Sequence, residues 1–99
     1  MKLITLYFNI AISEEILRLF EDVGVKHYTQ IPRVVGIGPV SGPRLDSHTW
    51  PGANSAIFVV TDEDTATRLM AELQRLRDTE LGKHAGLYAF QSPVEKALK

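Results

Sequence analysis

Residues 2–24, KLITLYFNIAISEEILRLFEDVG, predict a strand followed directly by a helix. Lys2 to Asn9 are rich in Leu, Ile, Tyr and Phe and alternate in part, which is typical of a β-strand. Apolar residues then recur at helical spacing as far as Val23, and Ser13 is the predicted N-cap. Gly24 suits the left-handed position that ends many helices. This stretch is therefore one strand–helix unit.

A second strand–helix unit occurs further along the chain. Ser55 to Thr61 (SAIFVVT) is a continuous apolar run, as expected for a central strand. Thr61 or Asp62 can cap the helix that follows, whose apolar face runs from Ala66 to Leu76. A helix with one apolar face follows each of the two strands, which indicates that the chain consists of two matching strand–helix halves.

Each half ends in a further strand. Val25 to Ile37 are mostly extended residues, with Pro32 marking an edge strand or a bulge, and Leu87 to Gln91 form a short last strand. The order β-α-β, loop, β-α-β predicts an α+β, ferredoxin-like fold, with a four-stranded antiparallel sheet and both helices on one face. The other face would be uncovered, with Thr5, Tyr7, Phe58 and Tyr88 among its residues. Such a face is usually hidden by association, so we expect a homo-oligomer.

Length, composition and charge exclude several classes of function for this chain. The 99 residues suit one domain, predicted to span 1–99, and the net charge of −1 lacks the positive excess that nucleic-acid binding needs. The chain has no cysteine, which excludes disulfides and thiol chemistry. No apolar run reaches the roughly 18 to 20 residues that span a bilayer, and polar residues follow the first strand too soon for a signal peptide. We therefore expect a cytoplasmic protein that does not span a membrane.

The segment 36–54 differs in composition from the rest of the chain. It contains four of the seven glycines and three of the five prolines. Loops longer than about 12 to 15 residues are uncommon in compact domains and are usually functional or disordered. We interpret this segment as a long functional loop.

The chain resembles the PII signalling proteins. The resemblance rests on the opening Met1–Thr5, on Asp22–Val25 at the end of the first helix, on the long glycine-rich loop and on Thr79–Gly86 (TELGKHAG). Within the loop, Ser41–Asn54 looks like a divergent PII-like subgroup. The loop lacks the tyrosine found in some PII proteins, and no arginine follows Phe90.

The resemblance implies a cytosolic homotrimer that is a regulator and not an enzyme. PII relatives commonly bind adenine nucleotides in clefts between subunits, and their long T-loop docks onto a target enzyme, transporter or regulator. By this resemblance, a small effector would bind at Gly36, Gly38, Lys83 and Gly86. Contacts with the target protein would involve the loop residues Arg44, His48 and Trp50.

The residues themselves leave some alternatives open. The glycines, including Gly82, could bring backbone amides close to a phosphate, with Lys83 and Arg33 or Arg44 as cations, or could serve only as turns. Trp50 is either an anchor for a partner or a residue that packs against the sheet or a neighbouring subunit.

A divalent metal is the alternative effector. Asp46 and His48 offer a carboxylate and an imidazole two residues apart, which His27 or His84 of another subunit could complete. A metal-responsive trimer resembling the CutA-type proteins, which share the fold, is therefore the alternative function. Hydrogen bonding of Asp46 to His48 within the loop is the simpler interpretation. No nucleophile, base and orienting group can be assembled from the spacing, so we predict no enzyme.

Overall fold

A computed structural model describes residues 1–38, 42–44 and 52–99, and for Gly38 and 42–44 it describes the backbone only. Six strands and three α-helices lie in these ranges. The strands are β1 (Lys2–Asn9), β2 (Thr29–Val34), β3 (Gly36–Gly38), β4 (Gly42–Arg44), β5 (Asn54–Thr61) and β6 (Tyr88–Pro93). The helices are α1 (Ser13–Val23), α2 (Glu63–Arg77) and α3 (Glu80–Lys83), and a 3-10 turn (Ile10–Ile12) precedes α1.

The main sheet has the strand order β2-β5-β1-β6, and every neighbouring pair is antiparallel. The helices cover one of its faces, and alternate residues of β1 (Ile4, Leu6 and Phe8) on that face are completely buried in the core. Phe20 of α1 and Leu69 of α2 belong to the same core. The predicted ferredoxin-like α+β fold is thus confirmed.

The opposite face of the sheet is open in this single chain. Register places the predicted residues there: Thr5 lies opposite Phe58, and Tyr7 lies opposite Tyr88. Phe90 of β6 pairs with Thr5 and has 44% of its surface exposed. Its ring centroid lies 6.1 Å from those of Tyr7 and Tyr88, tilted against the first and edge-on to the second. We refer to this surface as the aromatic face.

The helix ends follow the sequence in part. The Asp62 side chain caps α2, since its Oδ1 accepts a hydrogen bond of 2.8 Å from the Thr65 amide. Gly24 ends α1 with a φ of 91°. The predicted N-cap role of Ser13 is wrong. The 3-10 turn runs directly into α1, so Ser13 is already helical, and the first cap is Asn9, whose Oδ1 accepts from the Ala11 amide.

Part of the segment 36–54 has regular structure. β3 and β4 pair as a small antiparallel hairpin, separate from the main sheet. The predicted strand from Val25 to Ile37 is divided, because only Thr29–Val34 pairs with the main sheet. Pro32 lies on an edge strand, at a change of register, as the sequence predicted. None of the helices in the described part of the chain combines the length and apolar character needed to span a bilayer.

Candidate functional site

The two glycine-containing segments of the predicted effector site lie at the same end of the main sheet. At this end, Asn54 at the start of β5 lies between Val34 of β2 and Asn9 of β1. The Asn9 amide donates to the Ala85 carbonyl at 2.8 Å, which brings the segment 84–87 to the end of β1. The Ile10 amide donates to the Ala53 carbonyl at 3.2 Å, which holds the returning end of the segment 36–54 there as well.

The two segments nevertheless lie at opposite edges of that end. Gly36 and Gly38 continue from the edge strand β2, whereas Lys83 and Gly86 precede the edge strand β6. Three strand spacings separate β2 from β6, a distance of about 14 Å. A single chain therefore does not bring Gly36 and Lys83 together around one small ligand.

The β3–β4 hairpin forms one half of the candidate site. Gly36 pairs with Arg44 and Gly38 pairs with Gly42. A Cβ built on Gly36 would meet no atom within 4 Å among the described residues, so this backbone is open to a ligand. The Arg44 side chain is not described, and Asp46, His48 and Trp50 lie outside the described residues. Their predicted roles in the loop and in metal binding therefore stay predictions.

The segment 79–87 forms the other half and is closely anchored to α2. Thr79 Oγ1 donates to the Leu76 carbonyl at 2.7 Å and accepts from the Gly82 amide at 3.0 Å. Gly82 is buried, and a Cβ at this position would lie only 1.9 Å from the Leu76 carbonyl oxygen. Gly86 adopts a left-handed φ of 61°, which favours glycine. The turn is thus held in place by α2 and by Asn9.

Lys83 is the one predicted cation whose side-chain position is described in detail. It ends α3, its Nζ lies 3.2 Å from Glu80 Oε1, and 55% of its side chain is exposed. An exposed pair of this kind is worth little energetically, so the ammonium group is available to an anionic ligand. Arg33 is exposed on β2 and already makes an interaction of its own.

The sequence interpretation did not identify the residues that hold this site in shape. Thr79 directly before the acidic Glu80 is an N-cap pattern that could have been found. The close approach of Gly82 to α2 leaves no such signal. Across the described ranges, no group of three or more His, Asp or Glu side chains is placed to hold a metal ion.

Comparison with known proteins shows where this architecture recurs. No protein-family model matches the chain, and no curated protein does. A solved structure from Thermus thermophilus, described as a PII-like signalling protein, matches with a TM-score of 0.62 and 24% identity, covering 92% of this chain and 83% of that one.

A second protein, CPII, comes from Thiomonas intermedia and is described as a nitrogen regulatory PII-like protein. Its structure bound to ADP, AMP and bicarbonate matches with a TM-score of 0.70 and 19% identity over 96% of this chain and 88% of CPII. Its apo form matches with a TM-score of 0.64 and 17% identity over 94% of this chain and 89% of CPII. This chain therefore has the fold of the PII-like signalling proteins.

Proposed function

We propose that this chain is a PII-like regulatory protein, without catalytic activity of its own. It binds an adenine nucleotide between the subunits of a homotrimer and acts on a partner protein through the segment 36–54. The observation that carries the proposal is the position of the two halves of the candidate site. They share one end of the sheet but lie at its opposite edges, so a second copy of the chain is needed to complete a cleft.

The aromatic face supports association of subunits. Tyr7, Tyr88 and Phe90 form a continuous exposed aromatic group on β1 and the edge strand β6, and Val60 and Ile31 add further exposed apolar surface. Contiguous apolar surface of this kind marks an interaction site. In the described part of the chain β2 and β6 are the edge strands of the main sheet, and a neighbouring subunit can cover such an edge.

The likeness to CPII supports the nucleotide as the effector. CPII is bound to ADP and AMP in the matched structure, with bicarbonate as a further small ligand. In this chain, the exposed Lys83 ammonium group and the open backbone at Gly36 would meet the phosphates from two adjacent subunits. Signalling then requires that the ligand bind one conformation of the segment 36–54 more tightly than another.

Native mass spectrometry of the protein purified without ligand tests the proposal. Spectra are recorded alone and with ADP, AMP, ATP, bicarbonate, Zn²⁺ or Ni²⁺. The expected result is a trimer that takes up one nucleotide per subunit. A trimer that gains only metal would favour the metal-responsive alternative through Asp46 and His48, and a monomer would refute both functions.

A matched pair of variants locates the site. Lys83→Ala removes an exposed cation from an i,i+3 ion pair on α3, and Arg75→Ala removes one from an i,i+3 pair with Glu72 on α2. Lys83→Ala is expected to weaken nucleotide binding about tenfold, the effect of losing one charged hydrogen bond to a phosphate, whereas Arg75→Ala is expected to leave it unchanged. Equal affinities for the two variants would exclude Lys83 from the site.

A further inference from the structure

The pairing of β2 with β5 changes register at the base of the β3–β4 hairpin. Ile31 lies opposite Ala56 and Val34 lies opposite Asn54, so β2 has one residue more than β5 over this interval. This is a β-bulge, which bends its strand and redirects the chain. Pro32, which has no N–H to donate, lies within it. Immediately beyond the bulge the chain leaves the main sheet and enters β3.

A buried serine contacts the bulge from β5. Ser55 is polar but completely buried, because it pairs with the core residue Phe8 on the helix-covered face of the sheet. Its Oγ donates to the Ile31 carbonyl at 3.1 Å and accepts from Gln30 Nε2 at 2.9 Å. A buried hydroxyl is costly unless it is hydrogen-bonded, and here it both donates and accepts. The two bonds join the last regular residues of β2 to β5.

The described residues that begin the hairpin contribute little packing. The side chains of Val35 and Ile37 are exposed, and no described atom lies within 4 Å of the position that a Cβ on Gly36 would take. Packing by these three residues therefore does not fix the angle at which the hairpin leaves the sheet. The bulge is the described contact with the main sheet that directly precedes the hairpin.

We propose that Ser55 is a positioning residue for the hairpin. By bonding to Ile31 and Gln30 it holds the bulge in one register, and the register determines where β3 and β4 project. The role of Ser55 concerns the free protein and does not require any effector. It goes beyond the proposed function, since the hairpin would be positioned in this way whatever the segment 36–54 binds.

Hydrogen exchange measured by mass spectrometry on the ligand-free protein tests the inference. Ser55→Ala removes the hydroxyl with almost no change in volume. The amides from Val34 to Gly38 are expected to exchange about tenfold faster, while those of α1 keep their wild-type rates, because only the local opening of the bulge becomes easier. The matched control is Thr65→Val, which also removes a buried hydroxyl, one that donates to Asp62 Oδ2 at 2.9 Å at the start of α2.

The result also distinguishes positioning from a general structural role. Wild-type exchange at Val34–Gly38 in Ser55→Ala, or the same acceleration throughout the chain, would overturn the inference. So would an acceleration at Val34–Gly38 in Thr65→Val. If Ser55→Ala does not fold, Gln30→Ala replaces it. This variant leaves the Ser55–Ile31 hydrogen bond in place, so a smaller acceleration of amide exchange is expected at Val34–Gly38. Wild-type exchange there in Gln30→Ala would refute the proposal.

Discussion

The close packing of Gly82 against α2 makes a sharp prediction. A Cβ added at Gly82 would lie 1.9 Å from the Leu76 carbonyl oxygen, 2.7 Å from the Leu76 carbonyl carbon and 2.8 Å from Arg77 Cα. All three are backbone atoms of the last turn of α2, so no flexible side chain can move aside. Gly82→Ala must therefore displace α3 from α2.

The displacement of α3 determines how much stability Gly82→Ala loses. It disrupts both hydrogen bonds of Thr79 Oγ1, to the Leu76 carbonyl and from the Gly82 amide, each worth about 1 kcal/mol. Overpacking adds about 1 to 3 kcal/mol, and the better helix propensity of alanine returns at most about 1 kcal/mol. The expected net loss is about 2 to 5 kcal/mol, which lowers the melting temperature by roughly 10 °C or more in a chain of this size.

The assay is urea unfolding followed by circular dichroism, at one protein concentration for every variant because association would contribute to stability. Gly36→Ala is the control: its added Cβ meets no described atom within 4 Å, and a change within about 0.5 kcal/mol is expected. Wild-type stability for Gly82→Ala would refute the close approach of α3 to α2. Equal losses for both variants would show that the effect is a general one of replacing glycine.

Two other predictions concern the helix cap and the aromatic face. The hydrogen bond from the Thr65 amide lowers the pKa of the Asp62 carboxyl in the folded protein. The ionised carboxylate therefore stabilises the fold fully at pH values above the pKa of Asp62 in the unfolded chain. This stabilisation is lost as the pH falls through the lower pKa of the folded state. Asp62→Ala should therefore unfold at lower urea than the wild type at pH 7, with the difference shrinking in acid; a difference independent of pH would contradict this. Phe90→Glu places a charge on the aromatic face and is expected to shift the proposed trimer to monomer in sedimentation, while Leu98→Glu, at a fully exposed apolar residue of the tail, changes nothing. A trimeric Phe90→Glu would show that the subunits associate elsewhere.

Much of the fold could be predicted because its elements have strong local patterns. The partial alternation of β1 predicts that Thr5 and Tyr7 share the face opposite the helices, and the register confirms this, since Ile4, Leu6 and Phe8 lie in the core on the other face. The β3–β4 hairpin could not be predicted, since strands of three residues rich in glycine and proline have no alternation. The N-cap of α1 predicted at Ser13 is wrong because the 3-10 turn, already capped by Asn9, runs directly into the helix.

The candidate site was less predictable for a physical reason. Element order alone indicates that the two glycine-containing segments lie at the same end of the sheet. It does not indicate contacts between residues distant in sequence, such as Ser55 with Gln30 or the Asn9 amide with the Ala85 carbonyl. Those contacts depend on register and on how α3 packs, which no local pattern specifies.

The central position of β1 also affects how the chain folds during synthesis. β1 is made before either of its hydrogen-bonding partners, β5 and β6, and Lys2 pairs with Pro93. Until β5 emerges, this apolar strand has neither neighbour available, and such unpaired strands are prone to aggregate. The sheet can close only after β6 has left the ribosome, and pairings so distant in sequence slow folding. Truncation before Tyr88 would leave one side of β1 unpaired.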